Sequence, residues 1–220
     1  FDNPQPILGF PVPSMFDFKH DKMNTESEAY FADGTFDLSD RTRLSLGLRR
    51  TTDEFTSKQD NFISILMPAP VIAAQTCDRE VVTEYSSTTS RAVIQHDLTS
   101  GSNVYASLSE GFKAGGYATY ECTEPYDPEE VTSLEFGYKG SLGENTSLNA
   151  SLFRYDYTDF QVLQVVGIQT VTRNAGDARV NGLELEALSN LNDSLSMSYG
   201  LTLLDATYGE FLNTNGLEPQ

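Results

Sequence analysis

Side chains that commonly perform catalysis are few and scattered along this sequence of 220 residues. Its two histidines, His20 and His96, lie far apart, and neither belongs to an HExxH pattern. The chain also lacks the GxSxG pattern that places a nucleophilic serine on a sharp turn in many hydrolases. A general acid or base needs a partner within hydrogen-bond reach, and the spacing identifies none. We therefore predict no enzyme activity, no catalytic residue and no cofactor.

Residues that bind phosphates or metal ions also lack the spacing that those sites require. The glycines in the range 111–116 are not followed by the Gly-Lys-Ser/Thr of a phosphate loop, so they indicate a turn or a close backbone approach. Asp156 and Asp159 do not have the spacing of a calcium loop. Cys77 and Cys122 have neither CxxC spacing nor a nearby histidine cluster, so no metal site is predicted.

Composition excludes two broad classes of protein. The chain has 32 acidic against 14 basic residues, and its net charge of -18 would repel the phosphates of nucleic acids. It has no run of about 18 apolar residues, and its mean hydropathy is -0.35, which together exclude a helical membrane protein. A transmembrane β-barrel passes the same test, because its strands alternate between lipid-facing and lumen-facing residues.

Alternation of apolar and polar residues is the main structural signal. In the range 195–203 every second residue is large and apolar, and similar alternation occurs in 43–49, 103–109 and 132–139. The pattern predicts an all-β protein with roughly eight strands. These predicted strands lie near 27–38, 41–56, 87–98, 103–113, 129–140, 146–159, 170–188 and 194–206.

The connections between these strands alternate in length. Short turns are predicted near 39–40, 99–102, 142–145 and 190–193, and long segments near 57–86, 114–128 and 160–169. Short turns at one end and long loops at the other are typical of an outer-membrane barrel, with the short turns in the periplasm. A β-sandwich has no reason to keep its long loops at one end. Aromatic residues near the predicted strand ends, among them Phe153, Tyr155, Tyr157 and Tyr199, suit interface girdles, although ordinary cross-strand packing would also explain them.

This topology leads to a prediction about the two cysteines. Cys77 and Cys122 fall in successive long segments, so both would lie outside the cell. A disulfide between them would form in the oxidising periplasm and would restrict two loops. The alternative is a pair of unbonded thiols in those loops.

Four segments resemble TonB-dependent receptors in their residues, order and spacing. They are VYASLSEGFKAGG at 104–116, PEEVTSLEFGYKG at 128–140, LFRYDYTDFQ at 152–161 and RNAGDARVNGLELE at 173–186. The last is similar to the family's Asn-Ala followed by Gly-x-Glu. Together the four segments span about a third of the chain, and it is the set rather than any one of them that is specific.

The resemblance implies an antiparallel transmembrane β-barrel of about 22 strands filled by a plug domain. Residues 1–220 would then be an internal part of that barrel, without the plug and its energy-coupling box. The implied function is TonB-coupled uptake of a scarce solute across the bacterial outer membrane, most often a ferric siderophore. The implied partners are TonB, acting through the plug, and the lipid and lipopolysaccharide around the barrel.

Two alternatives come from other functional classes, namely a passive porin-like small barrel and a secreted β-sandwich binding module. The ligand-contact residues stay unknown in every case. Six charged residues are expected to face the lumen and to form solvated polar networks instead of a selective site: Arg43, Arg49, Glu135, Lys139, Glu184 and Glu186.

Overall fold

Strands make up almost the whole of the computed structural model, which describes residues 14–66, 72–117, 125–166 and 169–209. The strands are β1 (Ser14–Ser39), β2 (Thr42–Leu66), β3 (Ile72–Thr99), β4 (Ser102–Lys113), β5 (Glu129–Leu142), β6 (Thr146–Thr158), β7 (Gln161–Val166), β8 (Gln169–Asn174), β9 (Ala178–Asn192) and β10 (Leu195–Tyr208). The described residues contain no helix of the length and apolar character required to cross a membrane.

Eight of the strands form one antiparallel sheet in the order β1-β2-β3-β4-β5-β6-β9-β10. The remaining two, β7 and β8, pair with each other as a hairpin between β6 and β9 in the chain. Sequential neighbours joined by hairpins are the up-and-down arrangement of outer-membrane barrels. The prediction of an all-β fold with eight antiparallel barrel strands is therefore confirmed.

All four short turns lie at the same end of the sheet. They join Ser39 to Thr42, Thr99 to Ser102, Leu142 to Thr146 and Asn192 to Leu195. In the third turn Gly143 has a φ of 68°, a conformation that glycine adopts without steric cost. These positions agree with the predicted turns, and we call this end of the sheet the turn end.

The sequence prediction of a long loop over 57–86 is wrong for most of that range. β2 continues to Leu66 and β3 starts at Ile72. Both strands therefore extend far beyond the apolar, alternating residues that lie near the turn end. β1 likewise starts at Ser14, well before the predicted start at residue 27. A strand needs only about 10 residues to cross a bilayer. Beyond that length neither face of a strand has to face hydrocarbon, so the regular alternation that identifies a strand is no longer required.

The predicted strand over 170–188 is in fact two strands, β8 and β9, separated by residues 175–177. Gly176 in this break has a φ of 88°, which few side-chain-bearing residues adopt. The predicted loop over 160–169 contains β7, which pairs with β8. The Thr and Val residues of β8 favour a strand as strongly as the residues of β9 do, so strand propensity does not separate the two. In the sequence only Gly176 marks the boundary between them.

The two faces of the eight-stranded sheet have opposite chemistry. One apolar residue from each strand lies in a continuous cross-strand row: Phe36, Leu44, Ile94, Ala106, Phe136, Leu152, Leu183 and Leu203. This face, called here the outer face, is open, with Phe136 and Leu152 54 % and 58 % exposed. The described residues place no second layer over it, which does not favour the β-sandwich alternative.

The apolar residues of the outer face form a band of limited height. On β5 the band runs from Leu134 to Leu142, and the next outer-face residue, Thr132, is polar. Eight residue steps of about 3.4 Å give about 27 Å along the strand, and a tilt of about 40° leaves about 20 Å across the membrane. That height suits the hydrocarbon layer of an outer membrane, which is about 25 Å tall in such barrels.

The opposite, inner face carries polar residues and several aromatic rings. Phe153, Tyr155 and Tyr157 belong to this face of β6, so the expectation that they join a lipid-interface girdle is wrong. The ring of Phe153 instead covers Gly182 on β9, where an added Cβ would lie 2.1 Å from the ring. Tyr199 does lie on the outer face, in register with Ala187.

Candidate functional site

Burial in the described chain is concentrated at the end of the sheet opposite the turns. Seven of the described residues are buried, all at this end: Ser57, Gly115, Gly116, Tyr117, Gln161, Ala175 and Ala178. A single layer of strands buries little by itself, so connecting segments must cover the inner face at this end. We define the loop base as residues 114–117, 125–128, 159–161 and 174–177, which connect the long strands there.

Gln161 is the central polar contact of the loop base. Its side-chain Nε2 donates to the carbonyl oxygens of Ala114, at 3.0 Å, and Asp127, at 3.1 Å. Its backbone N–H donates to the Glu129 carboxylate at 2.8 Å. Gln161 is 9 % exposed, and a buried amide must satisfy its donors in this way. One residue thus joins three of the four segments that resemble TonB-dependent receptors.

Asn174 makes a second set of side-chain to backbone bonds. Its Nδ2 donates to the carbonyls of Asp127, at 3.0 Å, and Asp159, at 2.7 Å, and its Oδ1 accepts from the Asp127 N–H at 2.7 Å. The paired bonds with Asp127 reproduce the donor and acceptor pattern of a neighbouring strand. The base of the β7–β8 hairpin is therefore fixed to the segment that precedes β5.

Two glycines allow loop backbones to approach closely. Gly116 and Tyr126 exchange backbone hydrogen bonds of 3.1 and 2.8 Å, and the Tyr85 hydroxyl donates to the Tyr126 carbonyl at 3.1 Å. A Cβ on Gly115 would lie 2.2 Å from that carbonyl oxygen and 2.6 Å from the Tyr85 ring. The prediction that the 111–116 glycines serve close backbone approach is confirmed at Gly115 and Gly116.

Burial in the loop base affects the tyrosines outside the apolar band. It raises the pKa of Tyr85 to about 12, and the neighbouring Tyr117 and Asp127 act in the same direction. Burial also raises the pKa of Tyr126. The hydroxyl of Tyr117 bonds to that of Thr83. The phenols of Tyr85 and Tyr126 therefore stay protonated and able to donate at neutral pH.

The β7–β8 hairpin is attached to this base and extends away from it. Phe160 donates to the Gly176 carbonyl at 2.8 Å, and Ala175 donates to the Phe160 carbonyl at 2.7 Å. The Phe160 ring also packs against Tyr157 and Tyr208, with centroid distances of 5.3 and 5.9 Å. Further along the hairpin, the apolar side chains of Leu163 and Val165 are 75 % and 68 % exposed.

The chemistry available at the loop base is that of a rigid scaffold. The side-chain amides of Gln161 and Asn174 are paired with backbone carbonyls. Among the residues that the structure describes, His, Cys, Asp and Glu form no group suited to hold a metal ion. The arrangement can hold exposed segments at fixed positions above the inner face, which is what a binding surface requires.

Four of the six residues predicted to face the lumen make local contacts on the inner face. Arg43 pairs with Asp97 at 3.3 Å, and Arg49 donates to the Thr51 hydroxyl at 3.0 Å. Glu135 accepts a bond from Tyr105, whose ring lies 5.1 Å from the ammonium of Lys139. Glu184 and Glu186 lie on the same face by register, opposite Ser151 and Asn149. The solvation of this network stays a prediction.

The predicted disulfide falls outside the described residues. Cys122 is not among them, and of Cys77 only the backbone is described, within β3. The bond between the two cysteines stays a prediction.

Sequence reasoning did not identify Gln161, Asn174 or Tyr85 as functional residues. Two of them lie within the segments that resemble the family, 152–161 and 173–186. The available signal was an amide side chain at the end of a strand, where a backbone needs partners: Gln161 directly follows Phe160, and Asn174 lies two residues before Gly176. Nothing marked Tyr85, which lies in a stretch rich in Ser and Thr.

Relatives of this chain include two curated receptors. The chain is 27 % identical over 185 residues to the probable TonB-dependent siderophore receptor PiuA of Acinetobacter baumannii, a match that covers 82 % of this chain and 24 % of that protein. It is 32 % identical over 133 residues to the ferric-pyoverdine 358 receptor of Pseudomonas putida, covering 60 % of this chain and 15 % of the receptor. The chain thus spans about a quarter or less of these relatives.

Solved structures share the fold. The ferric yersiniabactin uptake receptor FyuA of Yersinia pestis has a TM-score of 0.71 at 21 % identity, over 90 % of this chain and 29 % of that one. The crystal structure of PiuA from Acinetobacter baumannii has a TM-score of 0.62 at 23 % identity, over 90 % and 28 %. The family profile described as TonB dependent receptor-like, beta-barrel, matches residues 1–219. The chain therefore belongs to the TonB-dependent receptor family, within its β-barrel region.

Proposed function

We propose that this chain is part of an outer-membrane receptor that takes up a ferric siderophore with energy supplied through TonB. The observation that carries this proposal is the apolar row across all eight strands, combined with membership of a family of TonB-dependent receptors. An apolar outer face and a polar inner face suit a barrel wall between lipid and a lumen.

Exposure of the apolar band supports placement in the outer membrane. Leu152, Leu183 and Leu203 are neighbours in the row, and Leu152 and Leu203 are 58 % and 54 % exposed. In water an exposed apolar face of this kind would make the protein associate, whereas contact with lipid hydrocarbon carries no such penalty. With the turn end in the periplasm, the loop base and the β7–β8 hairpin lie outside the cell.

A siderophore is the proposed cargo because two curated relatives are named for one. PiuA is described as a probable TonB-dependent siderophore receptor, and the Pseudomonas putida protein as a ferric-pyoverdine receptor. The loop base supports a role in capture, since Gln161 and Asn174 hold extracellular segments at fixed positions. Preorganised loops lose less entropy when a ligand binds.

The partners follow from the same proposal. TonB would act through a plug domain that belongs to the native protein, and residues 1–220 would form part of the surrounding barrel wall. Outer-membrane lipid and lipopolysaccharide would contact the outer face. Passive diffusion through a porin-like barrel is the main alternative, and the family match does not favour it.

The test is iron uptake by cells that depend on the native protein. Iron-limited cells with and without its gene would receive ⁵⁵Fe bound to a catecholate, a hydroxamate or a pyoverdine-type siderophore. We expect gene loss to abolish uptake of one of these complexes, and loss of TonB to abolish it equally. Uptake that persists without TonB would contradict the proposal and favour a passive pore.

A further inference from the structure

A polar pocket lies at the turn end of the sheet, between the turn that joins β1 to β2 and the turn that joins β3 to β4. It has a volume of about 560 Å³, and Asp40, Arg41, Arg43 and Asp97 line it together with amide and hydroxyl groups. Six of its ten lining residues lie in the two turns or at their ends, so the pocket is at the rim of the barrel wall. We call it the rim pocket.

Hydrogen bonds hold the walls of the rim pocket in place. The Asp97 N–H donates to the Arg41 carbonyl at 2.7 Å, which fixes the first turn to β3. In the second turn the hydroxyls of Thr99 and Ser102 bond at 2.7 Å, and the Gly101 N–H donates to Thr99 Oγ1 at 3.3 Å. Because these walls are already ordered, less entropy is lost when a ligand binds.

The rim pocket carries two cations and two anions, of which one pair is formed. Arg43 donates to Asp97 at 3.3 Å, and Gln95 Nε2 donates to the same carboxylate at 3.1 Å. The pair uses a single N–H of Arg43, whose side chain is 47 % exposed, so its other donors are accessible to a ligand. The side chains of Asp40 and Arg41 are exposed and form no hydrogen bond or ion pair with another described residue.

The balance of these charges selects the class of ligand. Two arginines and two aspartates sum to zero charge, against -18 for the whole chain. A phosphate would meet both carboxylates, and a simple cation would meet both guanidinium groups, so neither matches the pocket. A zwitterion with an ammonium and a carboxylate on one carbon matches it, because a guanidinium binds a carboxylate through paired N–H donors and a carboxylate accepts from an ammonium.

We propose that the rim pocket binds the zwitterionic α-amino-acid end of a cell-wall peptide, namely the free end of diaminopimelate in a peptidoglycan stem. Arg41 donates to the carboxylate of this group and Asp40 accepts from its ammonium, which anchors the barrel rim to the wall. The proposal rests on the proposed function only for the placement of the turn end in the periplasm, where the cell wall lies. It gives Arg43 a role besides the solvated network expected from the sequence.

Calorimetric titration of the native protein in detergent tests the rim pocket. The probes are the N-acetylated tripeptide L-Ala-γ-D-Glu-meso-diaminopimelate and the same tripeptide ending in lysine, which keeps the ammonium but lacks the carboxylate beside it. The variant D40N/R41Q removes both unpaired charges without changing the net charge. D193N, in the turn between β9 and β10, is the matched control outside the pocket.

We expect D40N/R41Q to bind the diaminopimelate peptide about tenfold more weakly than the wild type and D193N, the loss expected from charge-assisted hydrogen bonds. The lysine peptide should bind the wild type about tenfold more weakly for the same reason. Equal affinity of the double variant, equal affinity for the two peptides, or no binding by the wild type would overturn the proposal. If D40N/R41Q does not reach the folded, heat-modifiable form, R41Q replaces it, with a smaller loss in the same direction.

Co-sedimentation with purified sacculi separates the cell wall from a free amino acid as the source of the group. We expect sacculi to retain the wild type, the free tripeptide to compete with that retention, and D40N/R41Q to lose it. Binding of free diaminopimelate without retention by sacculi would overturn the assignment to the cell wall.

Labelling of the second turn separates this proposal from the proposed function. Gly101→Cys, at a position where nothing lies within 4 Å of an added Cβ, is placed in the native protein with Cys77 and Cys122 changed to serine. If an impermeant thiol reagent reaches this position from outside intact cells, the turn end is not periplasmic and both proposals fail. If the position is protected in intact cells and the tripeptide does not bind, only the assignment of the rim pocket is wrong.

Discussion

The apolar band and the loop base of this protein are stabilised in different ways. In the band, regular backbone bonds hold neighbouring strands together, and the outer-face side chains stay open, with Phe136 and Leu152 54 % and 58 % exposed. In the loop base, side chains such as Gln161 and Asn174 bond directly to backbone carbonyls. The band therefore depends on the surrounding solvent, whereas the loop base depends on a few specific polar contacts.

This difference explains why the two regions tolerate different changes. Any apolar residue of suitable size satisfies a lipid-facing position, but a charge does not. In the loop base a charge at an exposed position is tolerated, whereas the loss of one amide or the addition of one methyl group disturbs several segments at once. The predictions below test this contrast in order of decreasing effect.

The largest effect is expected from a charge in the middle of the band. Leu152→Arg should lower the free energy of unfolding in the membrane by about 2–4 kcal/mol, because the guanidinium group would face hydrocarbon. Val82→Arg is the matched control, since Val82 is equally exposed, at 58 %, on the same face of the long part of β3. Urea unfolding in lipid vesicles measures both variants. Equal destabilisation by the two substitutions would contradict the assigned band.

A smaller effect is expected from a methyl group in the loop base. Gly115→Ala should destabilise the loop base by about 1–3 kcal/mol, since the new Cβ would be within 2.2 Å of the Tyr126 carbonyl oxygen. Gly101→Ala is the control, because nothing lies within 4 Å of a Cβ at that turn. Hydrogen exchange should show faster exchange at 114–117 and 125–128 in the first variant and unchanged exchange in the band. A band that loosens equally would show that the regions are not independent.

Loss of the central amide should act more locally still. Gln161→Ala removes two hydrogen bonds to carbonyls, and we expect a local loss of about 1–2 kcal/mol. Ligand capture should weaken while the amount of folded protein in the membrane stays the same. Gln95→Ala, which removes a contact with Asp97 on the inner face, serves as control. Unchanged hydrogen exchange at 159–161 and 174–177 in Gln161→Ala would contradict the central role of this residue.

The smallest effect is a change with pH at Tyr85. Its pKa in the folded protein is about 12, above the value of 10 for a free tyrosine, so the neutral form stabilises the loop base. That contribution is complete below pH 10 and is lost as the pH rises to 12. The difference in ultraviolet absorbance between the wild type and Tyr85→Phe should show one phenol that ionises near pH 12. A difference centred at pH 10 would show that Tyr85 is not buried.

The band could be predicted from sequence because every second residue of its strands faces outward and is apolar. The alternation from Leu195 to Leu203 predicted β10, and the short turns predicted which ends of the strands lie together. Above the band, residues such as Thr83 and Tyr85 lie in a part of β3 where apolar and polar residues do not alternate regularly, so no pattern marks them as strand. The sequence there predicted a loop. The prediction was wrong because a strand with both faces in water has no need to alternate apolar and polar residues.

The loop base could be predicted only in part. The segments that form it were recognised by their resemblance to the family, and the close approach at Gly115 and Gly116 followed from the glycines. The contacts of Gln161 with Ala114 and Asp127 join residues more than 30 positions apart. Such pairings depend on the register of several strands together, which one sequence does not determine.

The central claim is that the outer face of this sheet lies in hydrocarbon, and spin labels on β5 test it most directly. Single cysteines would replace residues 133–138 in turn in the native protein with Cys77 and Cys122 changed to serine, followed by reconstitution in vesicles. We predict high accessibility to oxygen at Leu134, Phe136 and Tyr138, and high accessibility to a water-soluble nickel complex at Ser133 and Glu135. Accessibility without this alternation, or with the opposite alternation, would contradict the account.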